Sequence, residues 1–173
     1  MISGSQRREQ ILEILRESDT PMSATTLASR FDVSRQIIVG DIALIRAQGV
    51  EVYATPRGYV IPSEQSETIV KKIACVHNGP DTAKELNTIV DFGCKVIDVI
   101  VEHPVYGQII GQLQIASRFD VEQFIQRVNR EKAHSLSELT DGIHIHTIEC
   151  PSTEALDNVI TALRDMGMLL EED

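Results

Sequence analysis

Two helical segments near the start of the chain are separated by only three residues, Asp32-Val33-Ser34. Both segments repeat apolar residues at helical spacing, as in Leu27 and Phe31 before the break and Ile38 and Ile42 after it. So short a connection predicts a helix-turn-helix arrangement. In that arrangement the second helix enters the major groove of DNA by its N-terminal end. The N-terminal part of the chain is therefore predicted to bind DNA.

Start and stop signals in residues 1–62 predict three helices and a small hairpin. The first helix is expected from about Gln6 to Ser18, and Ser23 and Ser34 are expected to cap the second and third. Gly49 should end the third helix. Two short strands around the turn at residues 55–58 then predict a wing. A trihelical module that binds protein instead of DNA is the alternative.

The third helix carries the predicted DNA-reading surface. Arg35 and Gln36 on its first turn can reach base edges or a phosphate, and Arg57 at the tip of the wing can reach the minor groove or a phosphate. Gly40 is explained by close approach to DNA, or by a tolerated weakness in the helix. The inward side is predicted to hold Ile38, Ile42 and Ile45, helped by Ile37 and Leu44. The predicted DNA-binding residues are Ser34, Arg35, Gln36, Val39, Arg46 and Arg57.

The net charge of −10 is distributed unevenly. Residues 1–62 hold seven Arg, no Lys and seven acidic residues, whereas residues 63–173 hold nine basic and nineteen acidic residues. Phosphate repels the acidic part, so DNA contact should be confined to the first. Three widely spaced cysteines, without a CxxC pair, indicate reduced thiols in a cytoplasmic protein. No apolar run is long enough to predict a membrane span.

The segment "IPSEQSET", residues 61–68, marks a boundary, because it combines proline, serine and charge without an apolar period. We predict a winged helix-turn-helix domain over residues 1–62, a linker over 63–68 and a second domain over 69–173. The second domain reads as strand, helix, strand, strand, helix, strand, helix and a short terminal strand at 168–170. A tight hairpin joins its second and third strands, which predicts an α+β sandwich with a largely antiparallel sheet.

His144 and His146 lie two residues apart in a predicted strand, so their side chains share a face. A solvated or hydrogen-bonded pair is the simpler interpretation. However, His77 ends an earlier strand and Glu85 lies in the first turns of the following helix, where both can face one crevice. Three imidazole nitrogens and one carboxylate suit zinc, nickel, cobalt or iron. Cys75 can share the face of His77, but we interpret it as a buried thiol.

Three stretches of sequence carry a family resemblance: "SRQIIVGDIALIRAQG", "HPVYGQI" and "SLSELTDGIHIHTIE". Together with the winged helix they resemble the niacin-responsive transcriptional repressors that contain a three-histidine (3H) domain. The resemblance covers nearly the whole chain. Gly40 departs from it, since a larger polar residue is expected there, and His134 lies outside the histidine pattern of the family.

The resemblance implies a cytoplasmic, homodimeric repressor that binds double-stranded operator DNA of NAD biosynthesis and niacin-uptake genes. It also implies nicotinic acid as co-repressor. His103 and Tyr106 are the expected walls of the nicotinate pocket. One divalent metal per chain, nickel or zinc, is implied on the residues that match the ligands of the family: His77, Glu85, His144 and His146.

Two other functions fit a DNA-binding domain joined to a histidine-rich site. One is a regulator in which the metal itself is the effector. The other is a metal-dependent enzyme fused to a DNA-binding module. The enzyme is disfavoured because there is no clear general base near the histidine pair beyond Glu149, which is at odd spacing from His146 and so lies on the opposite face of the strand.

Overall fold

The computed structural model describes residues 1–62 and 68–172. The chain divides into two compact units, Met1–Gln65 and Ser66–Asp173. Of the linker predicted over residues 63–68, residues 63–67 lie outside the described residues. Each unit has its own apolar core, as expected for two independently packed domains.

The N-terminal unit is a three-helix module with a wing. Ser23 and Ser34 cap the second and third helices as predicted, each accepting a hydrogen bond from the amide three residues on. The first helix starts earlier than predicted, because Ser3 and Gln6 form a capping box. The elements are α1 Gly4–Glu17, α2 Ala24–Phe31, α3 Arg35–Ala47, β1 Tyr53–Thr55 and β2 Gly58–Val60.

The wing is tied to the start of α2 by backbone pairing. Met22 and Tyr59 exchange two hydrogen bonds, N to O at 3.0 Å and 2.8 Å. Gly58 allows this close approach: its φ is +134°, and a Cβ there would overlap the backbone of Met22. The hairpin is therefore held in place against the helices.

The inner side of α3 differs from the prediction at three positions. Ile37 and Leu44 are not core residues, since 42% and 51% of their surfaces are exposed. Asp41 is buried in their place, 3% exposed, and accepts hydrogen bonds from Arg7 Nε at 2.6 Å and Nη2 at 3.3 Å. Arg8 Nη1 adds a third contact at 3.4 Å. This charge-assisted contact joins α1 to α3.

Replacing Asp41 by alanine leaves the guanidinium of Arg7 without its partner at the contact between α1 and α3. We expect the free energy of unfolding of the N-terminal unit, in the full-length chain, to fall by about 1–3 kcal/mol. Arg7 remains partly in contact with water, so the loss is smaller than for a fully buried pair. Denaturant titration followed by circular dichroism measures it. The exposed Glu13→Ala is the control, and equal stability of both variants would contradict the prediction.

The C-terminal unit is an α+β sandwich with one four-stranded sheet. Its strand order is β3-β6-β4-β5, and every pairing is antiparallel, which confirms the predicted fold class. The elements are β3 Ile69–Val76, α4 Thr82–Asp91, β4 Lys95–His103, β5 Gly107–Ile115, α5 Arg118–Arg130, β6 Ile143–Cys150 and α6 Thr153–Asp165. Short 3-10 turns cover Gly79–Asp81 and Leu136–Thr140.

The predicted terminal strand at residues 168–170 is reduced to a single bridge between Leu169 and Cys75. Gly167 turns the chain after α6, with φ +68°. Val76 N then donates to Met168 O at 2.8 Å, and Leu170 N donates to Ala74 O at 2.9 Å. These two bonds cover the outer edge of β3, but only three residues take part, too few for a full strand.

All three long helices of this unit pack on one face of the sheet. Leu86, Val121 and Leu163, one from each helix, belong to the same core cluster as Ile148 and Cys150 of β6. Residues at even numbers along β6 share that face, since side chains alternate along a strand. Because β6 lies between β3 and β4, side chains on this face are buried.

Candidate metal centre and DNA-binding surface

The even-numbered face of β6 places His144 and His146 side by side inside the C-terminal unit. Both are buried, and their ring centroids are 4.7 Å apart. Each Nε2 reaches the carboxylate of Glu85 on α4. The distances are 3.0 Å from His144 Nε2 to Oε2 and 2.6 Å from His146 Nε2 to Oε1. Glu85 has no exposed surface.

His77 joins this group from the end of β3. Its amide donates to Gly142 O at 3.3 Å, just before β6 begins. Gly142 has φ +91°, and a Cβ there would collide with the backbone carbonyl of His77. This close approach brings His77 Nε2 to 2.7 Å from Glu85 Oε2 and its ring centroid to 4.8 Å from that of His144. The structure therefore brings together all four residues predicted to bind metal.

The three rings are oriented by backbone carbonyls. Each Nδ1 lies 2.8 Å from a carbonyl oxygen: Asn78 O for His77, Gly142 O for His144 and Asp98 O for His146. Since a carbonyl only accepts, each Nδ1 carries a proton, which leaves Nε2 of each ring to face Glu85. The three Nε2 atoms lie close to the carboxylate oxygens, at 2.7 Å for His77, 3.0 Å for His144 and 2.6 Å for His146. At such distances a proton or a metal ion must lie between nitrogen and oxygen.

The electrostatics of the group lead to the same conclusion. Burial alone would raise the pKa of Glu85, but His146, His144 and His77 outweigh burial and hold the pKa of the carboxyl well below its ordinary value. Burial alone would likewise lower the pKa of His77 and of His146, but the charge of Glu85 outweighs it and raises both. Without a metal, protons held on the imidazoles balance the charge of the carboxylate. A divalent cation can replace them, and three nitrogens with one carboxylate suit a transition metal.

The thiol of Cys75 also lies at this group. From the sequence alone, Cys75 is interpreted as a buried thiol and is not included among the metal ligands. Its Sγ, a carboxylate oxygen of Glu85 and a nitrogen of His144 are all within 4.8 Å of one another. Burial, with the charge of Glu85 beside it, raises the pKa of Cys75 well above its ordinary value. The sequence signal for this proximity was the position of Cys75 two residues before His77, on the same face of one strand.

His103 and Tyr106 occupy the hairpin turn between β4 and β5. His103 Nδ1 accepts hydrogen bonds from the amides of Val105 at 3.1 Å and Tyr106 at 3.3 Å, and the two rings are 5.0 Å apart. Tyr106 is 76% exposed. Within residues 68–172, no hydrogen bond or ring contact given by the structure joins this pair to the four-residue group. The histidine thus closes the turn.

On the N-terminal unit, Arg35 and Gln36 are exposed at the start of α3, and Arg57 is exposed in the turn of the wing. Ser34 Oγ accepts from Ile37 N at 3.3 Å, so it serves as the cap. Val39 is half-buried. Arg46 makes two contacts within the unit. Its Nε donates to Val52 O at 2.9 Å, and its guanidinium lies 5.9 Å from the centroid of the Tyr59 ring.

The outer face of α3 is formed by small residues, with Gly40, Ala43 and Ala47 all exposed. A Cβ at Gly40 would meet no atom within 4 Å, so internal packing does not require glycine there. A helix face formed by small side chains lets the helix backbone lie close to base edges. The exposed Ile37 and Leu44 flank it.

Comparison with known proteins assigns a domain family to each of the two units. The HTH domain family matches residues 7–60, and the 3H domain family matches residues 70–172. Transcription repressor NadR of Bacillus subtilis is 40% identical over 174 residues, 99% of this chain and 97% of that protein. The chain belongs to the 3H-domain transcription repressors. The Probable transcription repressor NiaR of Thermotoga maritima is also 40% identical, over 96% of this chain and 95% of that protein.

These relatives confirm the prediction of a regulator rather than an enzyme. The HTH match supports DNA binding by the N-terminal unit. Among the described residues, no helix is both long and apolar enough to span a bilayer.

Glu85→Gln keeps the shape of the side chain but removes the charge at the centre of the three imidazoles. We expect the affinity for Zn²⁺ or Ni²⁺ to fall by at least about 100-fold. Isothermal titration of chelator-treated protein measures it. His134→Gln is the control, because His134 is exposed and contacts Glu138 instead. Equal affinities would contradict a metal site at Glu85.

Metal uptake should release protons. The pKa values of His77 and His146 are raised, so these rings hold protons at a higher pH than an ordinary histidine, whose pKa is about 6.5. We therefore expect metal affinity to keep rising with pH above that value. Titrations in two buffers of different ionisation enthalpy count the released protons, and the absence of any release near neutral pH would contradict the prediction.

Arg35→Ala removes an exposed guanidinium from the first turn of α3. We expect the free energy of binding to operator DNA to become less favourable by roughly 1–3 kcal/mol. Fluorescence anisotropy with DNA from upstream of the protein's own gene, at several salt concentrations, measures the change. Arg164→Ala, an exposed arginine of the C-terminal unit that pairs with Glu171, should bind as the wild type does. Equal affinity of the Arg35 variant would place the contact elsewhere.

Proposed function

We propose that the chain is a cytoplasmic, homodimeric repressor of NAD biosynthesis and niacin-uptake genes, with nicotinic acid as co-repressor and one nickel or zinc ion in each 3H domain. The observation that carries the proposal is the buried group of three imidazoles around Glu85, in a domain joined to a helix-turn-helix unit. Resemblance to niacin-responsive repressors supports the choice of effector.

The chemistry of nicotinate fits such a site. A bound ion would supply positive charge that attracts the carboxylate, and the pyridine ring needs apolar or aromatic walls. His103 and Tyr106, whose rings pack at 5.0 Å, are the proposed walls. Tyr106 is exposed, so it is free to pack against a ligand.

The structure of the group suggests how an effector is sensed. Carbonyls just after β3, just before β6 and within β4 each hold one ring. A ligand that moves the three rings would therefore act on the chain at or next to three strands of one sheet. It can shift the protein between two states only by the difference in its affinity for them. The favoured state would place two recognition helices about 34 Å apart.

The test is a gel-shift series on the upstream DNA of the protein's own gene cluster. We expect nicotinate to tighten operator binding by about 5- to 150-fold. Nicotinamide, which lacks the carboxylate, should have little effect, and a chelator should abolish the effect of nicotinate. Tyr106→Ala should lose the response but keep effector-free DNA binding. Binding that ignores nicotinate would contradict the co-repressor proposal.

A second candidate is a regulator in which the metal itself is the effector. The observation that favours it is the convergence of three Nε2 atoms on Glu85, a donor set that can bind a metal ion whether or not another ligand is present. In that case, operator binding in the same gel-shift series would follow Ni²⁺ or Zn²⁺ and would not respond to nicotinate.

A further inference from the structure

Cys75 is placed by the sheet directly beside the candidate metal centre. It lies on β3 as the register partner of His144 on β6, and both side chains are buried on the helix-covered face. The Sγ atom, a carboxylate oxygen of Glu85 and a nitrogen of His144 lie within 4.8 Å of one another. Thus a sulfur atom reaches the space into which the imidazoles point.

These separations suit a shared ion. Ligand atoms at about 2.0–2.3 Å from one metal lie roughly 2.8–4.6 Å apart, depending on the angle between them at the metal. Atoms within 4.8 Å of one another need only small side-chain movements to reach that spacing. The three imidazole Nε2 atoms lie 2.6–3.0 Å from the same carboxylate, so they surround the space that a shared ion would fill.

We propose that Cys75 supplies a thiolate ligand to the metal held by His77, Glu85, His144 and His146. This inference rests on the proposed metal centre. When the ion binds, it displaces the thiol proton, which leaves to solvent, and neither sulfur nor metal changes oxidation state. A thiolate favours zinc, nickel or cobalt over magnesium or manganese. Cys75 would therefore help select the metal.

Cobalt is the probe, because a thiolate bound to Co²⁺ gives an intense sulfur-to-metal charge-transfer band in the near ultraviolet that imidazole and carboxylate ligands do not give. Full-length, metal-free protein is titrated with Co²⁺, and its ligand-field bands report binding separately. Cys75→Ser and Cys75→Ala are compared with Cys94→Ala. Cys94 is also a buried free cysteine of the same core, beside Cys150, which lies six residues along β6 from His144.

We expect the charge-transfer band in the wild type and in Cys94→Ala, and not in either Cys75 variant. Both Cys75 variants should still show ligand-field bands, with an affinity for Co²⁺ weaker by about 10- to 100-fold. A wild-type complex with ligand-field bands but no charge-transfer band would overturn the proposal, as would a band that persists in Cys75→Ser. If the wild type bound no Co²⁺ at all, the metal centre itself would be refuted, which is a separate result.

Discussion

The carboxylate of Glu85 is buried completely, and three imidazoles offset the cost of burying its charge. An unpaired carboxylate in such a place would cost several kcal/mol. The helix α4 can therefore pack on the sheet in this position only if positive charge, from protons or a metal, is present beside it. Packing of the C-terminal unit and occupancy of its centre are thus parts of one equilibrium.

The sheet order explains why residues distant in sequence meet at one point. β6 lies between β3 and β4, so a residue on its helix-covered face has neighbours from both strands and a helix above it. His146 contacts both the helix and a neighbouring strand. Its Nε2 contacts Glu85 on α4, and its Nδ1 contacts Asp98 O on β4, where an irregularity shifts the register. The tight approach at Gly142 adds His77 from β3.

Local signals in the sequence predicted much of this. Serine caps, turn residues and alternation along strands were sufficient for the helix-turn-helix and the antiparallel sheet. The set of His77, Glu85, His144 and His146 also depended on the family resemblance. The errors have different causes. The start of α1 depends on a local capping box of Ser3 and Gln6 that was not recognised. The inner side of α3 depends on a distant partner: Asp41 is buried because Arg7, 34 residues earlier, binds its carboxylate, and Ile37 and Leu44 are left outside the core. The contact of Arg46 with Val52 O and the proximity of the buried Cys75 to Glu85 depend on how the chain packs.

The acceptors that orient the three rings are peptide carbonyls, not side chains. The path of the main chain thus forms this outer layer of the centre. A substitution at position 78, where the side chain is exposed, leaves the carbonyl in place. Position 142 is restricted to glycine by its conformation, and the buried carboxylate of Asp98 also accepts a hydrogen bond from Thr147 N at 3.0 Å. The ring-orienting layer can therefore tolerate sequence change at one of its three positions and resists it at the other two.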